Sequence, residues 1–165
     1  NNDPVNLITL ELCLEAVKNT KESIYFVPNE LKTPELWLEA VRHDGLALQH
    51  VPINLKTPKL CWEAVKQNDR ALYHVPETLK TPKLCSLVVG WEALTYVPTN
   101  LKTPEICLKV IKRYGKALQA VPENLKTFKL CLKAVKQNEE AILYVPENIK
   151  TEEFMLELEL YSKRV

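Results

Sequence analysis

Apolar residues recur along this chain as adjacent pairs, each followed by a second pair after a gap of two. Leu60, Cys61, Ala64 and Val65 form one such set, and the spacing puts all four on one face of a helix. A second run, Leu72, Val75 and Leu79, keeps a helical period through Pro76. Together the two runs make a unit of 24 residues that returns along almost the whole chain. Its threonines are Thr9, Thr33, Thr57, Thr81, Thr103, Thr127 and Thr151, and its Val-Pro pairs run from Val27-Pro28 to Val145-Pro146. Repetition at this period predicts stacked units: an all-α fold, an α-solenoid of about six to seven two-helix repeats in a single domain over residues 1–165. No segment alternates at period two, so no β-sheet is expected.

Positions are numbered from the threonine of each unit. A threonine hydroxyl accepts from a free N–H of the first helical turn, and the proline that follows in four units (Pro34, Pro58, Pro82, Pro104) suits the first helical position. The first helix is expected over about positions 2 to 12. Small residues at position 8 (Ala16, Ala40, Ala64, Ala134) permit close packing, and basic residues at position 10 (Lys18, Arg42, Lys66, Lys112, Lys136) sit at the negative helix end. Gly45 and Gly115 at position 13, with Asn68 and Asn138 just before that position, predict a left-handed helix ending. A short second helix follows, which the Val-Pro proline prevents from continuing.

Pro4, Asn6 and Leu7 align with Pro28, Glu30 and Leu31, so the chain is expected to open in the tail of an earlier unit. The last unit ends after its first helix, from Thr151 to about Lys163. There Leu158 replaces the small residue, and Glu152, Glu153, Lys163 and Arg164 match the helix dipole; a terminal cap is expected. The fourth unit has 22 residues, with Val88-Val89-Gly90-Trp91 in place of the usual turn. This predicts a shortened turn, read either as a tolerated loop deletion or as a shaped groove.

The unit Leu-Lys-Thr-Pro-Glu-Leu-Cys-Leu-Glu-Ala-Val-Lys-Gln-Asn-x-x-Ala-Leu-x-x-Val-Pro resembles the repeat of a family classed as a domain of unknown function, found in tandem in bacterial and some large-virus proteins. Lys126 to Pro146 and Lys56 to Pro76 match it well, and the resemblance covers about Pro4 to Glu157. It implies a bacterial or viral repeat protein and carries no site residues. The unit length is also analogous to the leucine-rich repeat variant, a helical solenoid with one α and one 3₁₀ element per unit.

Composition narrows the function. The 22 basic and 21 acidic residues leave a net charge of +1, which gives no global footprint for nucleic acid or membrane. No apolar run approaches the roughly 20 residues of a membrane span. The chain opens with Asn1, as a processed or excised piece would, so a removed signal stays open. Cys13, Cys61, Cys85, Cys107 and Cys131 all occupy position 5, which Trp37 and Met155 fill elsewhere. That is the signature of an apolar core slot. Neighbouring helices stand roughly 8–10 Å apart, too far for disulfides, so five free buried thiols and a reducing, cytoplasmic location are expected.

Catalytic constellations are missing from the pattern. His50 and His74 share position 18 with Phe26, Tyr96, Ala120 and Tyr144, which marks a packing or surface slot, and His43 sits near a helix end. Three glycines make no phosphate loop, carboxylates such as Glu11/Glu15 and Glu35/Glu39 are exposed helical pairs, and no cysteine spacing suits a metal. The expectation is a non-enzyme without cofactor or metal.

Two repeated columns remain. Lys32, Lys56, Lys80, Lys102, Lys126 and Lys150 each precede a capping threonine and are expected either to lie over the previous unit or to form an anion-binding edge. Positions 17 and 18 vary on a constant frame: Tyr25, Gln49, Tyr73, Thr95, Tyr96, Gln119 and Tyr144 are the candidate partner-binding residues. The reading is a scaffold, a monomer or part of a longer chain, that binds another protein along one face, with a polyanion or nucleic acid along the lysine edge as the alternative.

Overall fold

The computed structural model describes residues 9–163 and places them in two compact bodies, divided between Leu79 and Lys80. All regular elements among the described residues are helical. Eight α-helices occur: α1 (Leu10–Asn19), α2 (Pro34–His43), α3 (Pro58–Gln67), α4 (Pro82–Cys85), α5 (Trp91–Thr95), α6 (Pro104–Ile111), α7 (Phe128–Gln137) and α8 (Glu152–Ser162). The residues aligned with an earlier unit, Pro4, Asn6 and Leu7, lie outside the described residues, as does Arg164.

Each unit starts as its sequence predicts. All seven threonine hydroxyls accept from the backbone N–H three residues on, at 3.2–3.4 Å. Such a cap contributes about 1 kcal/mol. In α2, α3, α6 and α7 the helix then buries positions 4, 5, 8 and 9, as with Leu60, Cys61, Ala64 and Val65 on α3 and Leu130, Cys131, Ala134 and Val135 on α7. Within the first body α2 packs on both α1 and α3; within the second α7 packs on both α6 and α8.

The second helix of each unit is a 3₁₀ segment in five units: Lys21–Tyr25, Gly45–His50, Asp69–His74, Gly115–Ala120 and Glu139–Tyr144. It is short because it is bounded on both sides. An extended residue precedes it, and the Val-Pro pair, with Val51 at φ −70° and ψ 127°, turns the chain out of helix after it. A further single 3₁₀ turn, such as Ile53–Leu55, leads into the next threonine.

The helix ending differs from expectation. No described residue, glycine included, has a positive φ. Asp44, Asn68 and Asn138 close their helices in extended conformation, with φ from −141° to −152°. Each also turns its side-chain oxygen to accept from the N–H two residues on, which starts the 3₁₀ segment. At Gly45 and Gly115 the reason for glycine is space: a Cβ on Gly45 would lie 2.3 Å from the Ala64 carbonyl oxygen, and one on Gly115 2.3 Å from that of Ala134.

The fourth unit also departs from its expected form. The two missing residues shorten the first helix, and α4 is a single turn. The chain leaves helix after Cys85, buries Val88, and forms its second element as the α-helix α5.

α8 is no polar cap. It buries Phe154 against Phe128, ring centroids 5.3 Å apart, but Met155, Leu156, Leu160 and Tyr161 are exposed and Leu158 is half-buried. Position 5 is buried in the other units, where a second helical segment follows; none follows α8 among the described residues, and Met155 is exposed there.

Candidate interaction surface

The repeated frame sorts the two variable columns. Position 17 points outward throughout: Tyr25, Gln49 and Tyr73 in the first body, and Thr95, Gln119 and Leu143 in the second, are all exposed. Position 18 is partly covered, with His74, Tyr96, Ala120 and Tyr144 half-buried while Phe26 and His50 are exposed. In the first body the column is aromatic. Tyr25 meets His50 edge to face at 4.9 Å, and Tyr73 meets His74 at 5.0 Å. Tyr25 is 49%, Phe26 84% and Tyr73 64% exposed, so these rings present apolar area to solvent. Leu143, 75% exposed, is a member of the column that the aromatic pattern alone passes over.

Three of the lysines before the threonines turn inward to the unit that follows, not to the previous one. Lys56 Nζ donates to the His74 carbonyl at 2.8 Å, Lys80 to that of Tyr96 at 3.1 Å and Lys102 to that of Ala120 at 2.8 Å. Each bond ties the entry of a unit to the end of its second helix, where a free carbonyl awaits a donor. The remaining three bond locally: Lys32 to Asn29 Oδ1 at 3.0 Å, Lys126 to Glu123 at 2.5 Å and Lys150 to Glu147 at 2.6 Å. Burial holds the Lys102 ammonium below the usual lysine range. Burial, then the Lys56 and His50 charges, do the same to His74.

The thiols at position 5 are free and buried. Burial pushes Cys61 and Cys131 up to about 11, against the opposing pull of Lys56 and Lys126, and raises Cys107 in the same way. These are unreactive core groups. Among the described residues no cluster of three His, Cys, Asp or Glu side chains forms that would hold a metal ion.

Turns of adjacent units are fastened by glutamine. Gln67 Oε1 accepts from the Gly45 N–H at 2.7 Å while its Nε2 donates to the His43 carbonyl at 3.1 Å. Gln137 does the same with Gly115 and with the Arg113 carbonyl. Against Trp91, the α5 counterpart of position 13, the next unit carries Arg113 in place of glutamine. An open cleft of about 260 Å³ lies there, lined by Trp91, Arg113, Tyr114, Lys116 and Gln119. The cleft lies beside the shortened unit, and Trp91 stands there at the position that Gly45 and Gly115 hold in their units.

A larger groove runs between α6 and α7. About 570 Å³ in volume, it has apolar walls of Pro104, Leu108, Leu125 and Leu130, and Lys112, Lys129 and Lys133 stand around it. The corresponding groove between α2 and α3 has about 240 Å³ and carries Glu35 beside Lys59.

Residues 33–80 match the family model described as Domain of unknown function (DUF4116). They are the second and third units, Thr33–Lys56 and Thr57–Lys80, under a third of the chain, and the match is a similarity without an assigned activity. No curated protein and no solved structure matches the chain. No described helix is long and apolar enough to cross a membrane.

Proposed function

We propose that this chain is a non-catalytic α-solenoid scaffold of the bacterial or viral tandem-repeat kind, and that it binds another protein through the position-17 column. The observation that carries the reading is the exposed aromatic group of the first body, Tyr25 and Tyr73 at position 17 with Phe26 beside them, on a frame that buries positions 4, 5, 8 and 9 in α2 and α3. Exposed aromatic side chains contribute large contact area at low entropic cost and are enriched among interface anchors. Gln49 and Gln119 supply polar variation at the same position, as recognition of a particular partner requires.

The polyanion reading along the lysine edge draws less support. Lys56, Lys80 and Lys102 donate to carbonyls, and Lys126 and Lys150 pair with glutamates, so the column offers little uncommitted charge. Five buried free thiols favour a reducing, cytoplasmic setting. The test is affinity capture from the native source with the bound species identified, comparing the wild-type chain with Tyr25→Ala/Tyr73→Ala. Retention of a protein partner that the variant loses supports the reading; capture of nucleic acid instead overturns it.

A further inference from the structure

The second body carries a charge pattern that its own repeat does not dictate. Residues 106–138 contain eight basic side chains and one acid, Glu123, which pairs with Lys126. The corresponding stretch of the first body, residues 36–68, contains four basic and three acidic side chains. The difference is concentrated on the outer helix face. Position 7 is Glu39 and Glu63 on α2 and α3 but Lys109 and Lys133 on α6 and α7. The first body neutralises its cation there, because Arg42 bonds Glu39 at 2.8 Å and approaches Glu63 at 4.0 Å. Lys112, which takes the place of Arg42, enters no ion pair among the described residues, and neither do Lys129 and Lys133. Copying of an ancestral unit cannot account for a feature that one body has and the other lacks.

These uncommitted lysines surround the 570 Å³ groove between α6 and α7. Its floor is aliphatic, from Leu108, Leu125 and Leu130, and no aromatic ring lines it for a nucleobase to stack on. Lys112 stands on the α6 side, Lys129 and Lys133 on the α7 side, all three exposed. We infer that this groove binds an acidic amphipathic peptide segment of a partner protein, with aliphatic side chains seated between α6 and α7 and carboxylates meeting the three lysines. The inference rests on the protein-binding reading and adds the partner's chemistry and a second contact region.

The test uses the full chain and a short fluorescein-labelled peptide with leucines at helical spacing and glutamates elsewhere, read by fluorescence anisotropy. Controls are the same peptide with glutamine for glutamate, oligothymidylate, and phosphatidylserine vesicles. The expected result is saturable binding of the glutamate peptide that falls at least about ten-fold in Lys112→Glu/Lys129→Glu/Lys133→Glu and is unchanged in Tyr25→Ala/Tyr73→Ala. Circular dichroism checks that the exposed-lysine variant stays helical, and Leu108→Gln provides a second, uncharged disruption of the groove. Equal binding of the glutamine peptide, retention of binding by both groove variants, or tighter binding of oligothymidylate or vesicles would overturn it. Loss of this inference leaves the tyrosine column to be judged by its own capture experiment.

Discussion

Gln67 and Gly45 are bonded across 22 residues: the glutamine oxygen accepts the glycine N–H at 2.7 Å, and the same amide donates to the His43 carbonyl. The side chain fastens the turn of one unit to the helix end of the next. Glycine is needed because any Cβ at position 45 would enter the Ala64 carbonyl. Gly115 and Gln137 repeat the arrangement in the second body.

Gly45→Ala is therefore expected to destabilise the chain by about 1–3 kcal/mol, the range for forced overpacking. Gln67→Ala leaves one N–H and one carbonyl without their partner, for a loss of about 1–2 kcal/mol. Urea unfolding checks both.

The core thiols set an alkaline limit. The folded-state value of Cys61 is about 11 against an ordinary 9.0, so the folded state holds the proton more tightly than the unfolded chain. Its contribution is complete below pH 9 and is lost as pH rises toward 11. Denaturation midpoints should fall over that window, and less steeply in Cys61→Ala. All five thiols should label slowly with a thiol reagent at neutral pH until denaturant is added.

His74 sets a smaller acidic one. Its value is lowered by burial and by the neighbouring Lys56 and His50, so the neutral ring is favoured in the fold. That contribution is present above about pH 6.5, the ordinary value, and declines as pH falls through the lower folded value. The acidic slope of stability should flatten in His74→Gln, measured by thermal melts between neutral pH and mildly acidic buffers.

Much of the helical architecture was legible because it follows from local rules. Threonine caps, proline at the first helical position and the apolar set at positions 4, 5, 8 and 9 each act within one helix. The features that escaped depend on neighbours. Gly45 looked like a left-handed helix end because glycine is permissive, but its reason lies in Ala64 of the next unit. Lys56 looked like an edge charge because its carbonyl partner, on His74, is 18 residues away. Met155 shared a core position with the cysteines, yet those are covered by the second helical segment of their unit, and α8 has none following it among the described residues. For the candidate surface, the sequence singled out positions 17 and 18 as a pair; only the packing separates outward Tyr73 from half-buried Tyr96.

The lysine column provides a structural counterpart to the surface. Lys102→Met removes the bond to the Ala120 carbonyl while keeping the stem, and should cost about 1–3 kcal/mol, as for hydrogen bonds from charged groups. Chemical unfolding measures the loss, and partner affinity at temperatures well below the transition should be unaffected.

The most direct measurement of the central claim is the affinity of the captured partner for two variants of the intact chain. Tyr25→Ala/Tyr73→Ala removes the exposed rings of the first body, and Lys56→Gln/Lys80→Gln/Lys102→Gln removes the column charges. The account predicts that the tyrosine variant loses about 2 kcal/mol or more of binding, with helicity intact by circular dichroism, while the lysine variant binds within about 1 kcal/mol of wild type after correction for any unfolded fraction. Wild-type affinity in the tyrosine variant together with lost binding in a folded lysine variant would contradict it.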